Sequence, residues 1–546
     1  MDRPPRFDYK GAIPDLSRSP PKDSSSRMIR WPVSTDSPFI ETENCAIVQV
    51  RSGQRTAAHS ISVLKGQENG VSMKRAMGTV EPSWDRRKKL AALFVTTLST
   101  FLTPFMAASL AVAVPSIGRE LRMGPAAMSW VATSFLLGVG VFLVPMGRLA
   151  DIVGRKKVFL YGIAIFAGVS LLCATARSTY ALLVYRFFQG AGAAMTFGNG
   201  IAILTSASPP SERGKMLGIN IGISYLGGSL GPILGGLLTD HFGWRSIFLL
   251  AGPLGALIIA ATLTMIREEW AEAGGEDFDY VGSAAFGLTL AAFIYGVTAM
   301  PSSRGLGALL LGLAGAVFFV KWEKRVRHPL LDVGLFTSNR LFAFSNLAGV
   351  VNYIATYSVA FLLSLYLQAI RGMSARDAGL LLVSQPLVQG VFTLCFGKFS
   401  DWIQPRFVAS AGMALAAVTL LFFSFLSAET SLVSIVSVLA LLGLSFALFA
   451  VPNANALMAS VDSRAFGVAS GMLVSTGTVG QLLSMGLTSL VFALYAGPVV
   501  MNSGLSDQAA PLLQSMGLLF RIFTGVALLG VLVSFLRGNV KRDARN

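Results

Sequence analysis

Gly147-Arg148-Leu149-Ala150-Asp151-Ile152-Val153-Gly154-Arg155-Lys156-Lys157 is a short polar stretch between two apolar runs. Its frame recurs as Gly397-Lys398-Phe399-Ser400-Asp401 behind a later apolar run. A second pair of motifs repeats at nearly the same offset: Gly214 and Gly218 open one run, Gly467 and Gly471 another. A chain that repeats in this way is built from two related halves. Gly147 and Gly154 allow tight turning and close helix contact. Asp151 can lie near a helix N-terminus and pair with a neighbouring arginine. A loop that only fixed topology by its positive charge would not need this spacing.

Working outward, the 546 residues are 53% apolar and only 13% charged, where a soluble domain carries roughly 25% charge. Apolar runs near twenty residues long, each able to cross a ~30 Å hydrocarbon core as a helix, fall at 91–115, 128–147, 158–176, 180–204, 215–238, 246–266, 280–300, 305–322, 341–367, 377–398, 407–427, 431–456, 466–496 and 515–536. The expectation is an all-α membrane protein with fourteen spans. Its first bundle covers 89–270, a linker with two inserted helices 271–325, a second bundle 326–536, and a short tail 537–546. Lys and Arg in the loops on the side of the termini outnumber those on the other side almost threefold, which places both termini in the cytoplasm. The same asymmetry accounts for much of the +16 net charge. No loop is long enough to form a basic nucleic-acid module. Three scattered cysteines and three histidines give neither a disulfide framework nor a metal site. Residues 1–88, rich in Pro, Ser and Arg, read as a disordered cytoplasmic tail; Met73 and Met77 offer alternative starts.

Within the fourth run Arg186 stands in Tyr185-Arg186-Phe187-Phe188-Gln189-Gly190. A charge at the centre of a bilayer costs about 2.5–3.5 kcal/mol on insertion scales, so it faces the bundle interior and seeks partners. Gln189 is one turn away. The alternative is a structural arginine satisfied by carbonyls. The fifth run carries Gly218, Gly227, Gly231, Pro232, Gly235 and Gly236, a small-residue packing face with a kinked, flexible ending. Polar and aromatic groups in runs expected to face inward are Thr103, Trp130, Asn220, Asn346, Asn352, Tyr353, Gln385, Gln389, Asn455 and Gln481. Each is either a cavity-lining group or interhelical glue. The acidic run Glu268, Glu269, Glu272, Glu276, Asp277 and Asp279 reads as a solvated linker. There is no phosphate-binding loop and no cluster fit for catalysis, so an enzyme is not expected.

These motifs together resemble the major facilitator superfamily. Residues 147–157 match its loop between spans two and three, Arg186 with Gln189-Gly190 its fourth-span motif, and 218–236 the fifth-span motif of its proton-driven antiporters. Trp244-Arg245, Tyr366-Leu367-Gln368 and Pro452-Asn453 are similar to the fourteen-helix drug:proton antiporters of the EmrB/QacA type. The resemblance spans about 90–540. It implies the major facilitator fold: two six-helix bundles plus two inserted helices, a central cavity and alternating access. It implies proton-coupled efflux of small amphipathic compounds across the plasma (inner) membrane. Arg186, Asp151 and Gln189 would serve coupling, while Gly147, Gly154, Arg155 and the glycines of 218–236 would form the moving seam. The expected partners are a small-molecule substrate, protons and the lipid bilayer, with no nucleic acid, no cofactor, no metal and a monomeric chain. Rival readings are a dedicated exporter of one metabolite or anionic solute, and a non-transporting membrane sensor. One departure stands out. Met106 and Ala111 occupy positions where family members often carry Asp and Asn, and no carboxylate lies in the middle of a run. Asp151, then Asp279, are the remaining carboxylates nearest the membrane. Removal of residues 1–72 is expected to leave transport unchanged, measured as substrate flux in proteoliposomes; lost flux would give the tail a working role.

Overall fold

The computed structural model describes residues 48–49, 62–63, 86–208, 212–271, 273–331, 334–399, 404–461, 466–495 and 505–538. The chain divides into two compact units, Met1–Pro82 and Ser83–Asn546. In the first, Val48–Gln49 (β1) pairs antiparallel with Ser62–Val63 (β2), Val48 opposite Val63. The rest of the tail expected over 1–88, up to the start of α1 at Arg86, lies outside the described residues, as do 539–546 of the C-terminal tail.

The second unit is helical. Its elements are α1 (Arg86–Glu120), α2 (Pro125–Val153), α3 (Arg155–Ala174), α4 (Thr179–Ser206), α5 (Arg213–Phe242), α6 (Arg245–Met265), α7 (Tyr280–Thr298) and α8 (Ser303–Glu323). There follow α9 (Gly334–Ser338), α10 (Arg340–Thr356), α11 (Val359–Leu365), a π-helical turn Tyr366–Ile370, α12 (Ala375–Leu382), α13 (Ser384–Phe399), α14 (Pro405–Phe423), α15 (Leu432–Met458), α16 (Phe466–Tyr495) and α17 (Leu505–Leu536). Side chains start many of them. Ser178, Asp279, Ser302, Asn339 and Ser374 each accept a hydrogen bond from the backbone N–H three residues on, filling a donor that a helix start leaves open. Pro125 and Pro405 open α2 and α14, where their missing N–H costs nothing.

Twelve of the helices among the described residues are long and apolar enough to cross a membrane. α4, which holds Arg186, and the broken pair α12–α13 pack among them. Two expected spans differ in detail. The run 341–367 is not one rod but α10, a turn at Tyr357–Ser358, α11 and the π turn. The run 377–398 breaks at Val383 because Pro386 has no N–H for the Leu382 carbonyl. The run 466–496 is a single uninterrupted helix.

α1 packs along α5, α2 along α4, and α3 against α4 and α6; later in the chain α14 packs on α15 and α17, α13 on α15, and α10 on α16 and α17. α7 and α8 pair with each other, and α7 also touches α2 and α16. The two sets meet where α2 lies on α16, α5 on α12 and α1 on α11. Large apolar side chains such as Leu288, Leu310, Leu311, Val317 and Val433 point outward, a surface suited to lipid rather than water.

Where two helices cross most closely, glycine is required. At the α2–α4 crossing a Cβ on Gly138 would run into the Phe187 carbonyl, and one on Gly190 into the Phe135 carbonyl, with Val139 N only 2.9 Å away. Neither backbone can yield without parting the pair. Gly190→Val is expected to lower stability by the ~1–3 kcal/mol of an overpacked core and so to depress the thermal midpoint in detergent. Gly168→Val, on the open face of α3 where nothing lies within 4 Å, should leave that midpoint in place; equal effects would deny the crossing its importance.

Candidate functional site

Arg186 projects from α4 into a dry pocket between α2, α3 and α6 and is only 3% exposed. Its Nε donates to the Val131 carbonyl of α2 at 3.0 Å, and its Nη1 donates to Gln189 Oε1. Gln189 Nε2 donates in turn to Ser170 Oγ of α3 at 2.6 Å, and Ser170 to the Phe166 carbonyl. The guanidinium lies over the Phe135 ring, 4.3 Å from its centroid, with Phe248 of α6 at 6.0 Å. Among the described residues it makes no ion pair. A carbonyl, an amide and two aromatic faces hold the charge. Tyr357, from the turn that follows α10, is an electrostatic neighbour.

The loop 147–157 lies at the opposite end of α2. Asp151 Oδ1 accepts from Arg155 Nε at 2.9 Å, and Arg155 Nη1 donates to Ser206 Oγ at the end of α4. Gly154 has φ +124°, a conformation that side chains rarely adopt. The segment expected to be a solvated linker is instead docked onto this loop. Arg155 N donates to the Trp270 carbonyl, Ala273 N to the Asp151 carbonyl and Lys156 N to Glu269 Oε1, at 2.8–2.9 Å. Arg148 pairs with Glu276, which His328 Nδ1 approaches at 2.9 Å, and Lys88 pairs with Glu268. The linker is held because its backbone completes the groups that the α2–α3 turn leaves open.

The glycines of α5 divide between two partners. Gly227, Gly231 and Gly235 lie on α1, where added Cβ atoms would meet the Phe101 carbonyl, Ala108 Cβ and Ser109 Cα at 2.5–2.6 Å. Ser109 Oγ donates to the Gly231 carbonyl at 3.0 Å. Gly236 faces the other set of helices: its Cβ would lie 2.6 Å from the Ala375 carbonyl, and a Cβ on Gly379 would strike the Pro232 carbonyl. Arg376 N donates to Asp240 Oδ2 at 2.9 Å and Gln368 Nε2 to the Val112 carbonyl at 2.8 Å. This end of the seam is sealed backbone to backbone. At the other end a Cβ on Gly147, Gly218, Gly222 or Gly471 would meet nothing within 4 Å among the described residues.

Between these ends α5 meets α13, the helix of Gln389 and Thr393, and Tyr225 Cβ lies 3.8 Å from where a Cβ on Gly390 would stand. Tyr353 stands edge-on to Phe446, 5.6 Å between centroids, with Gly477 and Gly480 of α16 against it. Gln385 is half-buried nearby on α13, and its carbonyl abuts Gly443. The other expected lining residues are scattered. Asn220 bonds to Thr96 and Thr100 of α1. Asn346 Nδ2 donates to the Phe342 carbonyl of its own helix. Asn352 and Thr103 are buried, Trp130 and Gln481 half-buried, and Asn455 exposed. Tyr225, Thr393 and Phe446 are the residues that sequence reading passes over; only their place on α5, α13 and α15 marks them. Arg537, expected in the polar tail, is 2% exposed and donates to Asn453 Oδ1 at 2.9 Å and the Pro405 carbonyl at 2.7 Å. Burial lowers its pKa to about 10. No group of three His, Cys, Asp or Glu among the described residues could hold a metal.

Comparison with known proteins agrees with this architecture. The sequence pattern of the Major Facilitator Superfamily matches residues 96–331 and 345–546. The multidrug resistance protein Stp of Mycobacterium tuberculosis is 30% identical over 416 residues, 75% of this chain and 77% of that protein. The riboflavin transporter RibZ of Clostridioides difficile is 26% identical over 410 residues, 74% of this chain and 89% of that one. Among solved structures, a bacterial homologue of the human lysosomal transporter Spinster, in an inward-facing and unoccupied conformation, superposes with a TM-score of 0.59 at 17% identity, covering 84% of this chain and 99% of its own. With its apolar spans, its paired helix sets and these relatives, the chain is a multi-pass membrane transporter that belongs to the Major Facilitator Superfamily.

Proposed function

We propose that the protein exports small amphipathic compounds by alternating access, in exchange for protons. It does so as a single chain of fourteen spans, the twelve strongly apolar helices plus α4 and α12–α13, in the plasma membrane with both termini in the cytoplasm. The observation that carries the reading is the unequal seam between the two helix sets. One end is closed by Gly236 on Ala375 and Gly379 on Pro232, while the other leaves Gly147, Gly218, Gly222 and Gly471 without neighbours among the described residues. A bundle closed at one mouth and open at the other is half of a transport cycle. Ligand binding between the helix sets then favours whichever arrangement it fits better. The name of the mycobacterial relative supports drug efflux as the cargo class.

In this reading the docked loop 147–157 holds the open mouth, with Asp151 and Arg155 as its ion pair. Arg186, bound through Gln189 and Ser170, sets the spacing of α2, α3 and α4. Its charge is permanent, so it does not itself carry the proton. A second reading, a transporter dedicated to one metabolite, draws support from the riboflavin-transporter relative and from the polar side chains of Tyr225, Gln389 and Thr393 where α5 meets α13. A substrate screen in proteoliposomes under an imposed pH gradient separates them: several unrelated compounds carried supports efflux of drugs, one supports the metabolite, and no flux for any compound overturns both in favour of a sensor.

Arg186→Ala is expected to reduce gradient-driven flux by about tenfold or more, the worth of at least one buried charge-assisted hydrogen bond, with membrane insertion intact; normal flux would remove Arg186 from the mechanism. Asp151→Asn breaks a half-exposed ion pair. Turnover is expected to fall severalfold with substrate affinity unchanged, read from initial rates against substrate concentration. Unaltered turnover would leave Asp151 a topology residue.

A further inference from the structure

At the base of the α7–α8 hairpin two carboxylates converge. Asp279 caps α7: Oδ1 accepts from Gly282 N at 2.8 Å, and both oxygens accept from Trp322 Nε1, at 3.3 and 3.1 Å. Glu323, the last residue of α8, is 4% exposed. Its Oε2 accepts from Leu331 N at 3.0 Å, whereas Oε1 is buried with no hydrogen-bond partner. That bare oxygen faces Asp279. A Cβ on Gly282 would strike Asp279 Oδ2 and come within 2.9 Å of Glu323 Oε1, so both oxygens border the same small space, kept clear by a glycine.

A buried oxygen without a donor is costly, and two like charges bordering one dry space raise that cost. Three N–H groups already point at the pair from outside. Only two oxygens face inward, far fewer than the six to eight that a calcium ion takes. A proton on Glu323 gives the bare oxygen a hydrogen to donate and removes one of the two neighbouring charges. The other acids near the pair are Asp277, exposed two residues before Asp279, and Glu276, which pairs with Arg148. α7 and α16 carry no charged residue, and α2 offers Arg148 and Asp151, the latter paired with Arg155. α8 and the turn after it bring Lys321, Lys324, Arg325, Arg327 and His328. A groove of about 260 Å³ lined by Phe318, Lys321, Trp322, Arg325 and Val326 brings solvent to the Trp322 side.

We infer that Glu323 binds one exchangeable proton beside Asp279, and that its presence biases the seam between the two helix sets. The route of that bias is α7, which lies on both α2 and α16: Leu290 of α7 fills the space above Gly140, Val141 fills that above Gly287, and Val297 and Thr298 sit over Gly486 of α16. A change at the foot of the hairpin therefore reaches the contact between the two sets. Proton binding here does not depend on the export reading; its consequence for flux rests on it.

The test is an infrared pH titration of the purified protein in lipid, following the carboxyl C=O band. The band is expected to weaken in Glu323→Gln and in Asp279→Asn; an unaltered band in both variants overturns the proton site. Glu323→Gln keeps shape and supplies an N–H where the proton would lie, so it should fold, and its flux should lose most of its pH dependence while counterflow between equal pH values persists. A flux whose pH profile matches that of the unaltered protein overturns the link to the seam. If the unaltered protein itself shows no gradient-driven flux, the export reading falls, and the infrared titration still decides the site.

Discussion

The whole assembly depends on helices approaching backbone to backbone. Lipid tails are as apolar as leucine, so no hydrophobic force drives one membrane helix onto another, and packing and hydrogen bonds must do it. Here the closest approaches rest on glycine: Gly138 and Gly190 lock α2 to α4, Gly227, Gly231 and Gly235 seat α5 on α1, and Gly236 with Gly379 joins α5 to α12. A side chain at any of these points would hold the backbones apart. Because α5 uses one row of glycines within its own set and another across the seam, it ties the two sets together.

Charge is handled differently at the two ends of the first helix set. Arg186 is buried and held by neutral groups, so its pocket has a fixed geometry that does not vary with salt or with the titration of a partner. Around the loop 147–157 the reverse holds. Arg148, Arg155, Lys88, Glu268, Glu276 and Asp151 form half-exposed pairs, each worth little alone and screened by salt. A firm anchor at one end and a soft clasp at the other suit a bundle that pivots.

Most of the helix plan is legible in the sequence because a lipid-crossing helix must be apolar over its full length, and few other structures produce such runs. The repeated glycine and Gly-Arg-Leu-Ala-Asp frames likewise show the two-set organisation. The docking of 268–276 is not legible, because its grip is made by backbone groups such as Arg155 N, Trp270 O and Ala273 N, which any residues could supply. Glu323 reads as an ordinary interfacial charge beside Lys324 and Arg325. Its burial arises only when the turn to Leu331 folds back over it. Tyr225 and Thr393 are each unremarkable until α5 and α13 are set side by side.

The sealed junction of α5 and α12 bears on how the protein can be inhibited. It is closed by main chain against main chain, Gly236 on Ala375 and Gly379 on Pro232. A blocker of this conformation must therefore come in through the opposite mouth, past the polar clasp. Resistance arising by substitution would fall on the exchangeable side chains along that entry path, while the glycines of the junction tolerate no replacement.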